Sequence, residues 1–150
     1  MNSDQPDHAH SPAYLLLRVG DAARAVLDTE LASWSLDTRQ LRTLIAAREG
    51  NLSQQDLCAA TAMDRTTMVG LVDRLADQGL VMRTPHPHDR RKHVVTMTPA
   101  GHDTVNQVMM KLGDVEKEFL STLDSAQVTH LTEALGQLYQ AHDPTCQNRD

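Results

Sequence analysis

Residues 51–79 constrain this chain most, because they carry two helix starts with too little chain between them for anything but a tight turn. Ser53 is a good helix N-cap, and Leu52 before it is placed to staple onto Leu57 at the fourth helical position. Asp64 repeats the device with Met63 and Met68. Two short capped helices joined only by residues 61–63 have helix-turn-helix spacing. Gly79 then supplies a left-handed helix stop.

The flanking segments fill in the architecture. After Gly79, residues 80–84 and 94–97 are rich in β-formers and enclose the polar segment 85–93, which predicts a two-stranded hairpin with a long basic tip. Thr98 caps a further helix with Pro99 at its first position, and Val105, Val108, Met109, Leu112, Val115 and Phe119 form its apolar stripe. A last helix follows Asp124, with Val128, Leu131, Leu135 and Leu138 at the same spacing. Upstream, a first helix is expected over residues 12–32, with Leu15, Leu16, Val19, Ala23, Val26 and Leu27 on a broad apolar face. A second helix follows Asp37, with Gln40 completing a capping box and Leu41, Leu44 and Ile45 inward, and ends near Gly50.

The fold class is therefore mainly α, a winged helix-turn-helix with a two-stranded β wing. The terminal helices carry more apolar surface than a lobe of about 70 residues can cover, so they are read as dimerisation helices of a homodimer. The expected layout of residues 1–150 is one chain with loose tails at 1–11 and 143–150, dimerisation helices at 12–36 and 99–142, and the winged helix-turn-helix lobe at 37–98.

Charge points the same way. A net charge of −6 argues against indiscriminate binding to nucleic acid, but residues 83–93 sum to +3 while residues 103–150 sum to −5. A local basic patch on an acidic body suits DNA contact at that patch alone. On the helix opened by Asp64, Met68, Leu71, Val72 and Leu75 share one face, and Thr66, Gly70, Asp73 and Asp77 lie opposite. Base contact is expected from its first turn, Arg65, Thr66 and Thr67. Asp73 and Asp77 repel phosphate, so the far end should tilt away from the backbone.

The segment LSQQDLCAATAMDRTTMVGLVDRLADQGLVMRTPHPHDRRKHVVTMTPAG resembles the winged-helix core of the MarR regulators, the multiple antibiotic resistance repressors and their relatives. Its most specific part is Asp89-x-Arg91, then Val94 and Val95, then Thr98-x-x-Gly101. The resemblance implies that Asp89 holds the Arg91 guanidinium so that the wing tip enters the minor groove, with Arg90 or Lys92 on phosphates. It also implies that Arg74 lies near the duplex backbone and that Thr66 and Thr67 meet the groove. Gly70 stands where relatives usually carry a polar or basic side chain, which moves the reading burden to Arg65, Thr66 and Thr67. The implied partners are a pseudo-palindromic double-stranded operator, a second copy of the chain, and a small, often aromatic and anionic effector. Trp34, Arg18, Arg39 and Arg48 are placed to border a cleft for such a molecule, against the competing reading of core packing or solvated helix faces.

Other classes find less support. No stretch approaches the roughly 20 apolar residues of a membrane span, and the polar start lacks a secretory apolar segment, so a cytoplasmic location without membrane attachment is expected. Two cysteines, Cys58 and Cys146, make no disulfide framework; a packed Cys58 and a tail Cys146 are expected, with a redox switch as the alternative. His8, His10, His86, His88 and His93, with Asp89, leave a zinc-responsive regulator open as an alternative, although solvated imidazoles are expected and no resident metal or cofactor is. The chain lacks GxSxG, P-loop and HExxH motifs and is read as no enzyme. A helical interaction module without DNA is the remaining rival, and the wing separates the two, since such a module has no need of Asp89, Arg91 and Lys92 together.

Overall fold

A computed structural model of the protein describes residues 11–50 and 52–142, with side chains described throughout except at 90–92. The expected loose tails, with His8, His10 and Cys146, lie outside the described residues apart from Ser11. The chain divides into two compact units between Thr38 and Arg39.

The first unit is dominated by α1, Pro12–Leu31. Ser11 caps it by accepting the Tyr14 amide at 3.2 Å, and Pro12 takes the first-turn position where its missing N–H costs nothing. A single 3₁₀ turn, Ala32–Trp34, follows, and Ser35 ends it at φ 55°. The amide of Thr38 then donates to the Asp28 carboxylate at 2.7 Å, which ties the exit of the unit back to its own helix. The expected apolar face of α1 is present but uncovered: Leu15, Leu16, Val19 and Val26 are all exposed.

In the second unit, α2 spans Thr38–Ala47, α3 spans Gln54–Thr61 and α4 spans Arg65–Asp77. Two antiparallel strands follow, β1 at Val81–His86 and β2 at Asp89–Met97, then α5 at Pro99–Phe119 and α6 at Ser125–His142. The core draws on every element except α6: Leu41 and Leu44, Leu57, then Met68, Leu71, Val72 and Leu75, then Val81, Val94 and Val95, then Val105 and Val108.

One inward assignment is corrected. Ile45 is 43% exposed, and Gln40, Thr43 and Ala47 are buried beside Leu41 and Leu44 instead. Ile45 lies about 100° round the helix from Leu44, on the flank of that face. Thr43 tolerates burial because its hydroxyl donates to the Arg39 carbonyl at 2.9 Å. On α5 the apolar stripe divides: Val105, Val108 and Val115 are buried, and Met109, one position beyond Val108, is exposed.

Candidate nucleic-acid interface

The cap chemistry of the helix-turn-helix forms as its residues dictate. Ser53 and Asp56 exchange side-chain-to-amide hydrogen bonds at 3.1 and 2.9 Å, a complete capping box at the start of α3. The helix ends with Ala62 in the left-handed region at φ 53°, so the connection to α4 turns within Ala62, Met63 and Asp64. Asp64 accepts the Thr67 amide at 2.9 Å and the Thr67 hydroxyl at 2.6 Å. Those two bonds, the hydroxyl first, hold the Asp64 carboxyl below its ordinary pKa.

The C-terminal end of α4 is equally determined by local chemistry. Gly79, at φ 71°, donates to the Ala76 carbonyl and Leu80 donates to Leu75, both at 2.9 Å. This is a Schellman stop, and Leu75 and Leu80, the positions where such a stop favours apolar residues, are both buried.

The hairpin is stitched to the lobe at its root. Leu52, just before α3, forms a bridge to Val95, whose amide donates to the Leu52 carbonyl at 2.8 Å. Thr98 ties this joint together: its amide donates to the Leu80 carbonyl at 3.0 Å, its hydroxyl donates to the Gly79 carbonyl at 2.6 Å, and the same oxygen accepts the Gly101 amide at 3.0 Å. A Cβ on Gly101 would fall on the Leu80 carbonyl oxygen, so the Thr98-x-x-Gly101 pattern is the joint between wing and α5.

Between the wing and α4 runs an ion pair that the sequence reading did not contain. Arg83 of β1 reaches Asp73 of α4 at 2.5 Å. Asp73, expected to repel phosphate, thus has a cation beside it, and Arg83, counted among the basic patch, pairs with a carboxylate of its own chain on the surface of the lobe. Sequence offered only two opposite charges ten residues apart as a signal.

The wing tip also departs from expectation. Its strands reach His86 and Asp89, which leaves Pro87 and His88 as the turn in place of a loop over 85–93. Pairing is regular from Val81↔Met97 to Pro85↔His93 and then jumps to His86↔Asp89, so Arg90, Arg91 and Lys92 form surplus length on β2. A register break beside Pro85 is physically apt, since proline lacks the N–H that a ladder uses.

Of the predicted site residues, Arg65, Thr66 and Arg74 are exposed, while Thr67, Gly70 and Asp89 are half-buried. The side chains of Arg90, Arg91 and Lys92 lie outside the described residues. Thr67 is less available than expected, because its hydroxyl proton is committed to Asp64. The structure adds Val69, 40% exposed on the second turn of α4, which an inward-looking search for apolar periodicity passes over.

Among the other candidates, Arg48 donates to Asn106 at 3.0 Å and Arg18 donates to the Tyr14 hydroxyl at 3.2 Å. Trp34 is half-buried and Arg39 exposed. Cys58 is free and half-buried. His86 and His88 meet edge-on with 6.0 Å between ring centres, and His86 Nδ1 accepts the His88 amide at 3.1 Å. Among the described residues no three His, Cys, Asp or Glu side chains gather as a metal site, and no helix is long and apolar enough to cross a membrane.

Comparison with known proteins gives a consistent set of likenesses. Residues 35–92 match the model of the MarR family. The chain is 35% identical to the HTH-type transcriptional repressor NicR of Pseudomonas putida over 96 residues, covering 63% of this chain and 61% of that protein. It is 30% identical over 104 residues to a Thauera aromatica protein named for regulation of the hcr operon, covering 69% of this chain and 63% of the relative. The match thus spans about three fifths of the length of these curated relatives. Among solved structures, BpsR of Bordetella bronchiseptica, described with regulation of its DNA binding by 6-hydroxynicotinic acid, superposes with a TM-score of 0.75 at 26% identity. That superposition covers 87% of this chain and 94% of BpsR.

Proposed function

We propose that this chain, which belongs to the MarR family of winged-helix proteins, is a transcription regulator that binds DNA sequence-specifically and catalyses nothing. In this reading it acts in the cytoplasm as a homodimeric repressor on a pseudo-palindromic operator. The observation that carries the reading is the Arg83–Asp73 clasp, which couples the hairpin to the helix whose first turn exposes Arg65 and Thr66. A helix that reads a major groove and a cationic hairpin that follows the adjacent minor groove must keep a set spacing, and a clasp between them serves that need.

Each predicted residue other than Gly70 has a role here. Arg65 and Thr66 meet base edges or phosphates near the positive end of α4, and Arg74 lies by the duplex backbone. Arg91, oriented by Asp89, enters the minor groove, with Arg90 and Lys92 on phosphates. Thr67 contributes mainly by fixing the first turn through Asp64. The exposed apolar residues of α1 and α6 support pairing of two copies, which sets two α4 helices roughly 34 Å apart, one turn of duplex. The effector is proposed to be a small aromatic acid, a reading supported by the aromatic acid that regulates BpsR.

Selection of bound sequences from random DNA tests the proposal directly: one enriched palindrome is expected, and no enrichment at any salt concentration overturns it. On that operator, Arg91→Ala should lose roughly 1–3 kcal/mol of binding while thermal unfolding is unchanged. Affinity should also fall steeply with salt, because phosphate contacts release counterions.

A further inference from the structure

The second turn of α4 holds an apolar knob beside a vacancy in the helix surface. Met68, Leu71, Val72 and Leu75 are fully buried, so the core has taken its share of this helix, and Val69 is left 40% exposed. A single exposed valine is ordinary. Its neighbour is not, because Gly70 sits inside a helix, where glycine loses conformational entropy without gaining a contact. Its φ is not in the positive region that would require glycine, and a Cβ placed on it would meet nothing within 4 Å. Nothing within the described chain therefore asks for glycine at this position.

Both residues lie one turn beyond Arg65 and Thr66, and by about 100° per residue they straddle the line running from Thr66 to Asp73. Thr67 is engaged with Asp64 through its hydroxyl, which leaves the second turn as the next surface a base edge can meet. In the major groove only thymine presents a methyl group, and an apolar side chain is what recognises it.

We propose that Val69 reads the C5 methyl of a thymine in each operator half-site, and that the notch at Gly70 lets the α4 backbone come close enough to the groove floor for that contact. The inference rests on the DNA-binding reading above and adds a specificity-determining residue to it.

Deoxyuridine removes the methyl and nothing else, so the test uses the full-length protein and the operator obtained by selection. Each thymine of the half-site is replaced in turn by deoxyuridine and Kd is measured at one fixed salt concentration. One position should lose about fourfold per half-site, the worth of one buried methyl group. Val69→Ala should bind the unmodified operator more weakly by a similar factor and show no further loss on deoxyuridine at that position. Gly70→Ala should weaken binding without lowering Tm, since alanine is the better helix former. The proposal is overturned if wild-type protein ignores every deoxyuridine substitution, or if Val69→Ala stays as sensitive to the same methyl as wild type. Failure to enrich any sequence is a different result: it overturns the DNA-binding reading, and this inference with it.

Discussion

α4 and α6 are written in the same local language and meet different fates. Each opens on an aspartate whose carboxylate accepts an amide three residues on, Asp64 from Thr67 and Asp124 from Gln127, both at 2.9 Å. Each carries apolar residues at helical spacing. α4 sinks Met68, Leu71, Val72 and Leu75 to 0% exposure, whereas α6 buries no residue and leaves Leu131, Leu135 and Leu138 at 36%, 41% and 45%. An apolar stripe thus reports that a face exists and says nothing of what covers it. For α4 the cover is the rest of its own lobe, and for α6 the proposed cover is a second copy of the chain.

The sharpest break in that contrast comes from matched substitutions. Leu75→Ala should cost about 2–5 kcal/mol in urea unfolding, the range for a fully buried leucine. Leu135→Asp should leave the lobe folded, convert the dimer to a monomer in sedimentation, and abolish the concentration dependence of Tm. A wild-type protein that already sediments as a monomer at every concentration would remove the reason for distinguishing the two helices.

Two glycines extend the comparison at smaller amplitude. Gly101→Ala should destabilise by about 1–3 kcal/mol, because the new methyl must displace the Leu80 carbonyl and the Met97 side chain at the wing joint. Gly136 of α6 has nothing within 4 Å of an added Cβ. In the monomeric Leu135→Asp background, Gly136→Ala should therefore stabilise by about 0.5–1 kcal/mol, the ordinary gain in helix propensity. A loss of Tm in that background would mean that α6 is covered within its own chain after all.

The smallest effect concerns acid. The folded pKa of Asp64 lies below its unfolded value because the Thr67 hydroxyl and amide favour the carboxylate. Its contribution is complete above the ordinary carboxylate range and is lost as pH falls through the depressed folded value. Stability measured down the acid limb should fall less steeply in Asp64→Asn than in wild type. An identical acid limb in the two proteins would show that the cap carries no linked proton.

Cap chemistry is the part of this fold that a linear reading recovers. Ser53, Asp64, Gly79 and Thr98 mark the element ends where the structure has them, because a cap is decided by one side chain and the next few amides. Readings that depended on distant neighbours fared differently. Ile45 and Met109 sit at the margins of their stripes, and whether a marginal residue is covered depends on the width of the element packed against it. The wing was located correctly, but its turn was drawn too wide, because the strands continue past Pro85 with a shift of register. The Leu52–Val95 bridge and the Arg83–Asp73 pair join residues that no local rule connects.

Sequence alone determined where helices begin and end, where the hairpin lies and which helical faces are apolar, since each follows from interactions within a few residues along the chain. Tertiary structure alone decided that Arg83 is spent on Asp73, that Leu52 bridges to Val95, and that α6 keeps its leucines in solvent while α4 buries its own. Those outcomes turn on which groups meet across the fold, and a side chain's charge or hydroxyl is free for a partner only after the fold has finished claiming it.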